Sequence, residues 1–184
     1  MNHPARLPLL TAEQAPAASQ PLLQQIQQAF GATPNMFKAV ANSPAALQAM
    51  WGFFGALGKG SIDTQLGEQI AVAVADRNAC EYCLAAHTAL GRKAGVSAEA
   101  MRAAQQGESG NPRTAAALRF AIKLVHDRGQ VTTQDVQALH DAGFHDEHIA
   151  EILAHVALNL FTNYVNVALA VPVDFPAVPL SRQA

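Results

Sequence analysis

Between Gln20 and Ala170 apolar residues recur every three to four positions, and each run is bounded by a Gly, a Pro or a residue suited to cap a helix. Ser19-Gln20-Pro21 opens a helix carrying Leu22, Leu23, Ile26 and Phe30, closed by Gly31. Ser43-Pro44 opens the next, with Leu47, Met50, Trp51, Phe54 and Leu57 on one face and Gly58 at its end. From Asp63 to Asp76 the pattern is again helical; Arg77-Asn78 interrupts it, and a further run goes from Ala79 to about Ala94, closed by Gly95. Asn78 suits an N-cap there, with Glu81 three residues on as its capping-box partner. Ser97 begins a short helix to Gln106, Asn111-Pro112 another through Leu118, Ile122 and Val125 to Gly129, and Thr132-Thr133 leads into Val136 and Leu139 before Gly143. The last and longest runs from about Asp146 to Leu169 with Ile149, Leu153, Val156, Leu160 and Tyr164, after which Pro172, Pro176 and Pro179 keep the tail out of helix. No segment sustains alternation of period two, so the pattern predicts an all-α fold of about seven to eight helices and no sheet.

Length and composition narrow this further. The 184 residues suit one domain, 1–184, with a helical core over about 19–170 and an extended tail over 171–184. Half the residues are apolar, yet no uninterrupted run approaches the roughly 20 needed to cross a membrane, and no apolar run of signal-peptide type follows Met1-Asn2-His3-Pro4. The expectation is a cytoplasmic protein. A net charge of −2 with scattered Lys and Arg argues against nucleic acid as a partner. Few charges and many Ala, Val and Leu imply more apolar helix surface than a monomer buries, hence a homo-oligomer.

The chemistry concentrates at Cys80-Glu81-Tyr82-Cys83, which holds the chain's 2 cysteines, with His87 one turn beyond. On a helix of about 3.6 residues per turn, positions i, i+3 and i+7 share a narrow face, so both thiols and the imidazole meet there. Glu68, twelve residues before Cys80, would sit about 18 Å away on a straight helix. Only a reversal near Arg77-Asn78 brings it back towards His87. Two cysteines three apart cannot staple distant parts of a fold, which leaves redox or metal chemistry. A thiol reacts as thiolate, and an unperturbed Cys with a pKa of about 8.5 is only slightly ionised at neutral pH. The first turn of a helix favours a thiolate at Cys80, whereas a base at i+4, His87, favours Cys83. A metal site would instead combine Cys80, Cys83, His87 and Glu68, an allowed donor set for zinc, but no second CxxC or HxxxH pair accompanies it.

Glu68, eleven intervening residues, then Cys80-x-x-Cys83-x-x-x-His87 resembles the active-site signature of AhpD-like alkylhydroperoxidases in the carboxymuconolactone decarboxylase superfamily. Pro34-Asn35-Met36-Phe37 before Asn42-Ser43-Pro44, and Asn163-Tyr164-Val165-Asn166 leading to Asp174-Phe175-Pro176, resemble the flanks of its single-domain peroxidase-related members. The resemblance implies an AhpD-like helical fold assembling as trimers or hexamers. It also implies a peroxidase without a cofactor or metal, in which Cys83 attacks the hydroperoxide, Cys80 resolves the sulfenic acid to a disulfide, and Glu68 with His87 relays protons. A dithiol of thioredoxin-like or lipoyl type would then reduce the disulfide. The best-studied members carry a His between the cysteines, where this chain has Glu81-Tyr82. The other readings are a lactone decarboxylase of the same superfamily and a redox-sensing or metal-binding protein without turnover.

The remaining polar clusters have plainer readings. His145-Asp146-Glu147-His148 falls at a helix start, where acidic residues serve the helix dipole, and His126 and His140 fall near helix ends that favour cations. His155, four residues after Glu151, reads as a hydrogen-bonded core or interface residue. Gly55-x-x-Gly58-x-Gly60 follows no strand and is not a phosphate loop. Trp51, Phe53 and Phe54 read as core, or as the lining of an apolar route to the thiols, and Tyr82 as a residue packed at its rim.

Overall fold

The computed structural model describes residues 4–181. The outermost residues of the predicted start (1–3) and of the predicted tail (182–184) lie outside the described residues. Among the described residues there are nine α-helices and no strand: α1 Gln20–Phe30, α2 Asn35–Val40, α3 Pro44–Leu57, α4 Thr64–Arg77, α5 Glu81–Lys93, α6 Ala98–Gln105, α7 Pro112–His126, α8 Thr133–Asp141 and α9 Asp146–Ala168. The predicted helices are all present within a few residues. The ninth, α2, is too short for a 3.6-residue period to show, and it buries Met36, Phe37, Ala39 and Val40. Capping follows the chemistry expected of short polar side chains: Ser43, Asp63, Ser97, Asn111 and Thr132 each accept a backbone N–H of the first turn they precede. Ser19 departs from this. Its hydroxyl donates to the carbonyl of Ala41, 2.9 Å away, and ties α1 to the end of α2.

Helix α4 is the axis of the molecule. It packs against α5, α6, α7 and α9, and Ile70 through Asp76 is buried on every side. A helix apolar all round must be surrounded, and the four partners do that. Small residues set how closely they approach. A Cβ at Gly91 of α5 would lie 2.6 Å from Met101 and 3.3 Å from the Cβ of Glu68, and one at Gly67 would press on the His155 ring of α9 at 3.2 Å. The glycines beside Glu68 in sequence and in space therefore let α5, α6 and α9 close around it. The tail after α9 is extended and bound back to the body. Buried Asp76 accepts from the Ser181 backbone at 2.8 Å, from the Ser181 hydroxyl, and from Gln105 at 2.8 Å, while Asp174 accepts from the Asn35 N–H at 2.8 Å.

The turn between α4 and α5 decides the geometry of the thiols. The Ala79 N–H donates to Asp76 and the Cys80 N–H to Ala75, the paired bonds of a Schellman motif, with Ala79 left-handed at φ 51°. Asn78 thus closes α4 and is not the N-cap of α5, and Glu81 is the first residue of α5 and closes no capping box. Cys80 takes the cap position, and the Asn78 amide bonds Asn163 of α9 at 2.8 Å.

An alanine in the left-handed region costs about 1–2 kcal/mol, against about 0.4–1 kcal/mol of extra chain entropy that glycine loses on folding. Ala79→Gly should therefore raise stability by about 0.5 kcal/mol, and Ala79→Val, β-branched at positive φ, should lower it by more than about 1 kcal/mol. Urea midpoints measure both, and a valine variant as stable as the parent would contradict the assigned turn.

Candidate active site

The cap of α5 is itself a thiol position. Cys80 has extended backbone (φ −92°, ψ 90°), and its Sγ accepts the N–H of Cys83 at 3.2 Å, as a serine hydroxyl would at the same place. Cys83, in the first turn of α5, is paired with Cys80 as a disulfide, their Cα atoms 5.4 Å apart. Its Sγ accepts from the side-chain amide of Asn166 on α9, also at 3.2 Å. Both cysteines are nearly inaccessible, at 1% and 2% exposure. Each has one N–H donor, so a thiolate formed at either position would find a partner already in place.

Because the Schellman turn folds α5 back along α4, Glu68 and His87 meet although 19 residues separate them: His87 Nδ1 and Glu68 Oε2 are 2.7 Å apart. An ionised carboxylate can only accept, so the shared hydrogen is carried on Nδ1, and in the neutral ring Nε2 is left as the acceptor. His87 is four residues from Cys83 on the same helix, and the two side chains line one narrow cleft of about 40 Å³ together with Phe37, Phe54, Phe175 and Asn166. That volume admits one or two small groups, and its walls are apolar apart from a few polar atoms.

Cys80 faces elsewhere. It lines a shallower groove of about 270 Å³ with Ala79, Glu81, Val167 and Pro172. The two sulfurs thus look onto different openings, with Tyr82 and Asn166 between them. Tyr82 is held from both ends. Its oxygen accepts the Met36 N–H at 3.3 Å, its ring meets Phe175 edge-on at 5.7 Å, and burial pushes its pKa far above the usual phenol value, with the Asp174 carboxylate adding to the rise.

A third cavity, of about 140 Å³, lies on the other side of His87 and is lined by Glu68, His87, Asp63, His155 and Asn159. His155 was expected to be hydrogen-bonded, but its Nε2 is buried with no partner among the described residues. Its carbonyl, not its ring, is what bonds the Asn159 amide. Burial holds the His155 pKa below the ordinary value, Glu151 and Glu68 pulling the other way and His87 adding to the fall. Glu151 is below its own usual range: burial opposes this, but the N–H groups of Ser61 and Ile62 outweigh it.

Glu68, Cys80, Cys83 and His87 are therefore neighbours, while the other polar clusters stay apart. His145 caps α9 with His148 three residues on, His126 pairs with Asp127 at 2.6 Å, and His140 with Asp146 at 3.4 Å. No three or more His, Cys, Asp or Glu side chains gather as a metal-ligand set among the described residues. Phe54 lines the cleft, whereas Trp51 stacks edge-on against Phe37. Asn166 and Asp174 were legible only as part of flanking stretches, since nothing local marks a residue that meets its partner 83 positions away.

Residues 44–123 match the carboxymuconolactone decarboxylase family. No curated protein matches the chain in sequence. Among solved structures it is similar to an AhpD alkylhydroperoxidase core, an uncharacterized peroxidase-related protein from Ralstonia eutropha JMP134 (26% identity, 94% of each chain, TM-score 0.85). It is similar also to an uncharacterized peroxidase-related protein from Silicibacter sp. TM1040 (27% identity, 92% of each chain, TM-score 0.81). A cysteine-to-alanine variant of the debrominase Bmp8 in complex with 2,3,4-tribromopyrrole shares the fold at 22% identity (95% of this chain and 94% of that one, TM-score 0.80).

The depressed His155 pKa has a signed consequence. In the unfolded chain the ring takes a proton near its ordinary value of 6.5, which the folded protein resists, so stability is lost as pH falls through that value and the loss ends below the folded-state pKa. His155→Phe should remove this component, leaving a smaller drop between about pH 7.5 and about pH 5.5 than in the parent. Urea unfolding at the two pH values decides it; equal drops would show that His155 is not held neutral.

Proposed function

We propose that this chain, which belongs to the AhpD-like/carboxymuconolactone decarboxylase superfamily, is a thiol peroxidase that reduces alkyl hydroperoxides or hydrogen peroxide through a Cys80–Cys83 disulfide. The observation that carries the reading is that Cys83 and His87 share one apolar cleft, with Glu68 fixing the far nitrogen of the ring at 2.7 Å. This is the arrangement of nucleophile, base and orienting carboxylate that activates a weak nucleophile. In the reduced protein His87 takes the Cys83 proton. The thiolate attacks the terminal peroxide oxygen, the O–O bond breaks, and the leaving alkoxide recovers the proton from His87. The Cys80 thiol, whose Cα is 5.4 Å from that of Cys83, condenses with the sulfenic acid, closing the disulfide and releasing water.

Completion of the cycle needs a dithiol, and the groove on the Cys80 side gives a reductant of thioredoxin-like or lipoyl type a path that does not compete with the peroxide. Thiols that must cycle call for a reducing compartment, which supports a cytoplasmic location; among the described residues no helix is long and apolar enough to cross a membrane. Exposed Leu153, Tyr164 and Val167 on α9 support assembly as a homotrimer or homohexamer. Lactone decarboxylation does not call for paired cysteines, so the pair weighs against it. A second reading, thiol-driven debromination of an aromatic ring with bromide released as the disulfide forms, draws on the aromatic walls of the cleft and on the debrominase of the same fold. Bromide release from a brominated pyrrole without peroxide consumption would put it first.

Cys83→Ser should abolish hydroperoxide consumption, and Cys80→Ser should consume about one equivalent and then stop, because its sulfenic acid has no resolving thiol. Peroxide loss by the prereduced variants, followed with excess hydroperoxide and no added thiol that could reduce the sulfenic acid, distinguishes them. Equal peroxide consumption by both variants would overturn the assignment.

A further inference from the structure

The cleft over Cys83 has four polar side chains, and their hydrogen-bonding capacity can be accounted for atom by atom. The Tyr82 hydroxyl is committed to the Met36 N–H and the Asp174 carboxylate. The Thr162 hydroxyl donates to the Asn159 carbonyl of its own helix at 3.1 Å. His87 Nδ1 belongs to Glu68. Asn166 is 3% exposed; its Nδ2 donates to Cys83 Sγ and to Met36 Sδ, both at 3.2 Å, and its Oδ1 is buried with no partner among the described residues. Apart from the lone pairs of the Thr162 hydroxyl, two groups remain uncommitted: Nε2 of His87 and the carbonyl oxygen of Asn166, a residue that lines both this cleft and the groove beside Cys80. The first serves the proton of the thiol. The second is a strong acceptor held out of water beside the sulfur, a cost the fold carries unless something that enters the cleft donates to it.

We propose that Asn166 is a catalytic residue of the peroxide step: its Nδ2–H holds the Cys83 thiolate, and its Oδ1 accepts the O–H of the oxygen under attack. The inference rests on the reading of Cys83 as the residue that meets peroxide. A hydroperoxide R–O–O–H carries its hydrogen on the terminal oxygen. When the thiolate attacks that oxygen, an S–O bond forms and the O–O bond breaks; the sulfur gives up two electrons and the peroxide is reduced to an alkoxide, which takes the His87 proton and leaves as the alcohol. The hydrogen on the transferred oxygen never leaves it, being the O–H of the peroxide before the step and of the sulfenic acid after it. One acceptor can hold it throughout, and an amide offers donor and acceptor together at fixed separation. The arrangement also supplies at Cys83 what Cys80 has as a helix cap, an N–H aimed at sulfur. It requires a substrate whose terminal oxygen bears a hydrogen, so dialkyl peroxides should not turn over.

The test uses the reduced protein with Cys80→Ser, which leaves Cys83 as the sole thiol and keeps a good cap on α5. In this background Asn166 is compared with Asn166→Leu, Asn166→Asp and Asn166→Ser, by the pH dependence of iodoacetamide alkylation and by the second-order rate with cumene hydroperoxide. The other titratable groups around Cys83, namely His87 and Tyr82 on α5, Glu68 on α4 and Asp174 in the tail, stay the same across the series. Asn166→Leu should raise the midpoint of alkylation by about one pH unit and slow the peroxide reaction about 100-fold. Asn166→Asp should raise the midpoint further, since a carboxylate next to sulfur opposes the thiolate. In the parent, the Asn166 side-chain amide resonances should move with the same midpoint as alkylation, a readout that requires no substitution to fold. Unchanged midpoint and rate in Asn166→Leu, or amide resonances indifferent to ionisation of Cys83, would overturn the role of Asn166 alone. No peroxide consumption with Asn166 in place would overturn the peroxidase reading and this inference with it.

Discussion

Everything at the site depends on one reversal of the chain. The Schellman turn at Asn78-Ala79-Cys80 ends α4, starts α5, and does both with backbone hydrogen bonds that fix the direction in which α5 leaves. Its last residue is the first thiol. Cys80 closes the motif that ends one helix and caps the next, so backbone hydrogen bonds fix where its Cα sits. The same reversal lays α5 antiparallel to α4 and turns a separation of 19 residues between Glu68 and His87 into a 2.7 Å contact. Gly67 and Gly91 then remove the bulk that would hold α9 and α6 away from that contact.

From this follows a site with different surroundings on each side of the disulfide. Cys83 looks into an apolar cleft with aromatic walls, where a charged nucleophile depends on the few donors that reach it. Cys80 looks onto an open groove beside the end of α9. Beyond His87 lies a third, more polar cavity with Glu68 and His155, whose pKa burial lowers. Three separate openings thus surround the two cysteines and His87. The extended tail takes part in this division, since Phe175 forms one wall of the cleft and Asp174 anchors both α2 and Tyr82.

Much of this was legible in the sequence, for identifiable reasons. Helices of eight residues or more declare themselves by period and by caps such as Ser43, Asp63 and Thr132, and the spacing of Glu68, Cys80, Cys83 and His87 carries the site once a turn is assumed. The break at Arg77-Asn78 marks the turn, but not which residue caps α5. Asn78 is a good cap by composition, and the left-handed residue that marks the true boundary is an alanine rather than the glycine that would have announced it. Helix α2, with 6 residues, is shorter than two turns and leaves no periodic trace. Asn166 and His155 could not be assigned roles locally, because what matters about each is an atom left without a partner by long-range packing. The same holds for the tail, which three prolines mark as non-helical without saying where it binds.

The measurement that bears most directly on the central claim is the intact mass and free-thiol count of the fully reduced protein after one equivalent of an organic hydroperoxide in the absence of air. The account predicts loss of about two mass units and of both thiols, with one alcohol formed per protein chain. Two persistent thiols after excess hydroperoxide would contradict it.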